Sequence, residues 1–242
     1  MRTRMGMYVL GCLLLMTPEG MVAQQGTTRF ASTAPGERIH NLDALKKDLR
    51  AYHDCTCPCG CYAADLDAQA DKAIAFLRER VAHKRPQERL AMVLDIDETT
   101  LSNYEEMNEE DFGYNAARFD VWVKEEKAPA IPATLRLYKV AQRLGVTVFF
   151  LTGRDGSTQG EQAATEANLR AQGFGTWKKV ILRSAEEKKW DTEKYKSHER
   201  QEQILGRGYT LVLSVGDQWS DLRGAPEAEY SVKYPDPFYF IP

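Results

Sequence analysis

From Leu90 to Leu94 the chain reads Leu-Ala-Met-Val-Leu and then turns acidic, with Asp95 and Asp97 on either side of Ile96. Five apolar residues are too few for a helix of their own. They suit a strand covered on both faces, which is the habit of a parallel sheet flanked by helices. In open sheets of this kind ligands gather in the crevice beyond the carboxyl ends of the strands. Two carboxylates there can hold a divalent cation or attack a substrate. Asp also closes Asx turns and caps helices, so the pair has a purely structural reading as well.

The remaining pattern extends this α/β reading. Residues 146–151, 180–182 and 209–215 are further buried-strand runs. Ile39, Leu42, Leu45 and Leu49 mark one face of a first packing helix; Leu66, Ala70, Ala73, Ile74, Leu77 and Val81 mark a second. Ile131-Pro132 opens another helix that Gly145 ends. Thr152-Gly153-Arg154-Asp155 reads as a glycine-opened turn into a helix starting near Ser157, a cradle for an anion at a helix N-terminus.

Asp95-Ile96-Asp97-Glu98-Thr99 resembles the first signature, Asp-x-Asp-x-Thr, of haloacid dehalogenase superfamily phosphatases. Thr152 after its strand resembles the second, and Tyr195-Lys196-Ser197-x-x-Arg200 the third as plant acid phosphatases spell it. Gly216-Asp217-x-x-x-Asp221 resembles the fourth. The likeness runs from residue 90 to 242 and is strongest to class C bacterial acid phosphatases, plant acid phosphatases and vegetative storage proteins.

This resemblance implies a Rossmann-like, doubly wound parallel sheet with N-terminal helices and a small helical cap at about residues 104–128. It implies an Mg2+-dependent phosphomonoesterase that acts on small phosphomonoesters, such as nucleoside monophosphates, through an aspartyl-phosphate. Asp95 would be the nucleophile and Asp97 the general acid and base. Thr152 and Gly153 would bind phosphate, with Lys196 facing it. Asp95, Asp97, Asp217 and Asp221 would form the metal site, Asp97 through its backbone carbonyl. Tyr104 and Trp122 are weaker substrate-contact candidates, because cap aromatics more often pack. The alternative is a non-catalytic storage or binding protein on the same scaffold, which the intact Asp95 disfavours.

Arg2 and Arg4 precede an uncharged stretch and then small or polar residues up to Ala23, the order of an export signal over residues 1–23. Residues 24–37 read as a linker and 38–242 as the phosphatase domain. The signal is short for a membrane span. Residues 9–12 also resemble a lipobox ending in Cys12, a less favoured route because the apolar stretch would follow the lipidated cysteine. Cys55, Cys57, Cys59 and Cys61 form a cluster that the resemblance leaves unexplained, either a disulfide staple or a soft-metal site with His53 nearby. None of the four histidines has ligand spacing with another. A net charge of -3 gives no footprint for a nucleic-acid polymer, and a homodimer is left open.

Overall fold

A computed structural model describes residues 39–57 and 61–241. The expected export signal, the linker, Cys12 and Cys59 lie outside them. Five parallel strands run in the order β3-β2-β1-β4-β5: β1 Leu90–Leu94, β2 Thr147–Asp155, β3 Lys179–Arg183, β4 Thr210–Gly216 and β5 Tyr230–Lys233. The chain therefore builds outward on one side of β1, then crosses back to lay β4 on the other. That reversal makes β1 and β4 the switch point where such sheets bind ligands. Leu94 registers with Phe150 and Val215, bringing three strand ends level.

Both faces of β1 are covered, which is why its five residues need no polar alternation. Met92 and Leu94 pack with Leu66 and Leu77 of α2 (Tyr62–Ala82) and Leu137 of α5 (Pro132–Arg143). Ala91 and Val93 pack with Tyr195 of α7 (Thr192–Glu199). Among the described residues no helix is long and apolar enough to cross a membrane. The segment at 104–128 holds two short helices, α3 (Tyr104–Glu109) and α4 (Ala116–Glu125).

Two expectations need correction, and one open alternative is decided. First, α1 (Leu42–Asp54) buries no residue, and Ile39, Leu42 and Leu45 are 84%, 61% and 42% exposed. Polar ties hold the helix instead: Tyr52 donates to Asp65 at 2.6 Å, and Arg50 donates to Asn108 at 2.6 Å and Asp111 at 2.9 Å. Second, Cys55 and Cys61 form a disulfide and Cys57 is also disulfide-bonded, so the cluster is a staple rather than a thiolate metal site. His53 stacks on Tyr104, with ring centroids 3.3 Å apart. Third, β2 does not stop at Thr152. It runs to Asp155, which pairs with Arg183, and α6 (Glu161–Ala171) starts well beyond Ser157.

Candidate active site

At the switch point β1 passes straight into the loop of residues 95–103. Asp95 is still held by the sheet, its N–H donating to the Val215 carbonyl at 3.0 Å, and its side chain is buried. Lys196, on α7, reaches Asp95 at 2.6 Å and also pairs with Asp221. An isolated ammonium is expensive to bury, so these carboxylates keep Lys196 charged and in place.

Asp221 comes from the turn after β4. At Gly216 a Cβ would run into the Asp221 side chain, so the absence of one lets this carboxylate fold back over the strand end. The second Asp221 oxygen accepts the Gln218 N–H at 2.8 Å. Asp217 accepts from the Thr99 hydroxyl at 2.9 Å and from the Gln218 amide at 2.8 Å. One carboxylate oxygen from each of Asp95, Asp217 and Asp221 lies within 4.8 Å of the others. A buried, all-oxygen donor set fits a hard divalent cation such as Mg2+.

Asp97 stands apart from that group. Because β2 stays extended, Thr152 and Arg154 share a face and both reach Asp97, while Gly153 faces outward and is exposed. Arg154 donates through Nη2 at 2.8 Å and Nε at 3.0 Å, and the Thr152 hydroxyl donates at 3.0 Å. Next along the loop, Glu98 adopts a left-handed φ of 55°, so its carboxylate turns back to accept the Asn103 N–H at 2.5 Å. The Asn103 amide donates to Asp97 and Glu98, both at 2.9 Å, and its oxygen accepts the Trp122 indole N–H at 2.9 Å.

The electrostatics divide the aspartates. Burial pushes the Asp95 carboxyl up to about 7; Asp221 and Asp97 add to this while Lys196 opposes it. Asp217 is raised well above the carboxylate range by burial and then by Asp95, Asp221 and Asp236. Burial works against the Lys196 ammonium, yet Asp221 and Asp95 hold it above the usual lysine range. Crowded buried carboxylates are what a divalent cation relieves. Burial raises Asp97 too, but the Arg154 guanidinium together with the hydrogen bonds from Asn103 and Thr152 outweighs it and leaves this carboxyl below the usual value.

The structure thus gathers Asp95, Asp97, Thr152, Lys196, Asp217 and Asp221 from four separate signatures. Trp122 is buried behind Asn103, and Tyr104 lies among His53, Phe112 and Phe238. Sequence reasoning assigned no role to Arg154, Asn103, Gln218 or Asp236. Strand alternation from Thr152 would have found Arg154, had β2 been read as continuing. Gln218 also donates to Asp236 at 2.7 Å and accepts the Ile241 N–H at 3.1 Å, tying the C-terminal segment to the acidic loop.

A model of the haloacid dehalogenase superfamily, subfamily IIIB (acid phosphatase), matches residues 20–242. The chain is 35% identical over 185 residues to the stem 28 kDa glycoprotein of Glycine max, covering 74% of this chain and 70% of that protein. It is 34% identical over 183 residues to acid phosphatase 1 of Solanum lycopersicum, covering 74% and 69%. The class C acid phosphatase from Bacillus anthracis shares the fold, with a TM-score of 0.65 at 20% identity over 82% of this chain and 86% of that one. The protein belongs to subfamily IIIB of this superfamily and is a phosphomonoesterase of the acid phosphatase type.

Proposed function

We propose that the protein is an exported, Mg2+-dependent acid phosphatase that hydrolyses small phosphomonoesters, nucleoside monophosphates among them, through an aspartyl-phosphate. The observation that carries this reading is Lys196 held between Asp95 and Asp221 at the carboxyl end of β1. In it, Asp95 attacks phosphorus and Lys196 offsets the charge of nucleophile and phosphoryl group. Asp97, oriented by Arg154, Thr152 and Asn103, gives a proton to the leaving alkoxide. It then takes one from the water that hydrolyses the acyl phosphate. Asp95, Asp217 and Asp221 are the residues that would hold Mg2+, which neutralises carboxylate and phosphate charge when bound.

Export is supported by Arg2 and Arg4 ahead of an uncharged stretch, and by the Cys55–Cys61 disulfide, a bond of oxidising compartments. The test is phosphate release from a panel of monoesters by chelator-treated protein, with and without added Mg2+. Activity that returns with Mg2+ and is absent from folded Asp95→Asn supports the reading. Turnover by that variant sinks it.

A further inference from the structure

Outside the catalytic group, one cluster of potential ligands has no role in this chemistry. Glu187 sits in a short helical turn after β3, and Glu199 ends α7; each is 8% exposed. Ser184 fixes one oxygen of Glu187, donating from its N–H at 2.9 Å and its hydroxyl at 2.6 Å. The Glu187 carboxyl also meets that of Glu199. Glu187 is the hydrogen-bond partner of the Glu199 carboxyl among the described residues. The nearby ammonium of Lys179 goes to Gln203 at 2.9 Å. Two carboxyl groups stay side by side in a buried place only with a proton or a cation between them.

The adjacent residue supplies the chemistry that separates those alternatives. His198 is exposed, set edge-on to Trp190 with ring centroids 5.1 Å apart, and offers a ring nitrogen beside both carboxylates. One ligand atom from each of Glu187, His198 and Glu199 lies within 4.8 Å of the others. We propose that these three residues bind a transition-metal ion of the Zn2+ type, at a site separate from the catalytic carboxylates. One imidazole with two carboxylates favours such an ion over Mg2+, which takes oxygen donors and keeps its waters. The site ties the turn after β3 to the end of α7, the helix that carries Lys196. Its role is to brace that helix.

The test is titration of the Mg2+-saturated protein with Co2+, followed by visible absorption and by calorimetry. One equivalent should bind to the wild type and to Asp217→Asn, whose catalytic group is damaged. It should be displaced by Zn2+ and bind at least about tenfold more weakly to His198→Ala and to Glu199→Gln. His198 is exposed, so its replacement leaves the fold intact. Zn2+ should raise the unfolding temperature of Asp217→Asn but not of Asp217→Asn/His198→Ala. No Co2+ equivalent in Asp217→Asn would mean that Glu187 and Glu199 share only a proton. Undiminished binding to both ligand variants would place the ion elsewhere. Either result overturns the proposal, and neither depends on the phosphatase reading.

Discussion

The guanidinium of Arg154 contacts both carboxylate oxygens of Asp97, at 2.8 to 3.3 Å, while Asp95 receives Lys196 at 2.6 Å. Two aspartates separated by one residue thus have different cations. Asp95 shares its cation with Asp221, whereas Asp97 has Arg154 on one edge of its carboxylate and Asn103 beside it. The two have the same side-chain chemistry but unequal surroundings.

In the proposed mechanism Arg154 sets the pH at which Asp97 acts as a proton donor. A proton donor works from its protonated form, and a lowered carboxyl holds that form only in acid. Removing the guanidinium leaves burial, which raises the carboxyl. Arg154→Gln should therefore move the alkaline limb of kcat/KM for an alkyl monoester to higher pH. An unmoved limb in a folded variant would reject the assignment. The lowered carboxyl also stabilises the fold above its unfolded-state pKa, and that contribution is lost as pH falls through the folded value.

Leaving-group dependence separates the two aspartates. Asp95→Asn should abolish turnover and the covalent intermediate with every substrate. Asp97→Asn removes a proton donor, an effect of about 10² to 10⁴ in rate. It should be far milder with a nitrophenyl phosphate, whose leaving group departs as a stable anion. Equal slowing of both substrates, with chemistry rate-limiting, would sink this division of labour.

In the proposed mechanism Trp122 acts through Asn103, to which its indole N–H donates. Trp122→Phe leaves the buried Asn103 oxygen without its donor, a loss of about 1 to 3 kcal/mol. Asn103 would then orient Asp97 less well, so kcat with alkyl substrates should fall while KM changes little. A rise in KM alone would make Trp122 a substrate contact.

Gly216 leaves space for Asp221. In Gly216→Ala the added carbon meets the Asp221 side chain and pushes it from Lys196. The variant should need more Mg2+ for half-maximal activity and should unfold at a lower temperature. If neither quantity changes, the close approach has no functional weight.

The disulfide should matter to stability and little to turnover. Replacing Cys55 and Cys61 by Ser opens a cross-link of sequence separation 6, worth about 2 kcal/mol on loop-closure grounds. Chemical denaturation should show that loss, with kcat retained where the variant is folded. A folded variant without activity would give α1 a part in catalysis.

Leu90–Leu94 and the carboxylates after it were legible because a strand buried on both faces leaves a local record, an apolar run with an abrupt end. The four signatures carried Asp95, Asp97, Thr152, Lys196, Asp217 and Asp221 for the same reason: each sits at a strand end or on the helix that follows. Other features depended on partners distant in the chain. Thr152-Gly153 has the composition of a turn, and pairing between Asp155 and Arg183 kept the segment extended, which aimed Arg154 at Asp97. The apolar face of α1 was visible in sequence, but periodicity does not say what covers a face, and α1 is held by ion pairs and a disulfide. His198 has no histidine partner at ligand spacing, yet the fold brings Glu187 from another turn beside it and Glu199. Local pattern determined where the chain is buried and where it turns acidic. Tertiary structure decided which charges meet, because electrostatic contact depends on distance in space and the strand order sets that distance.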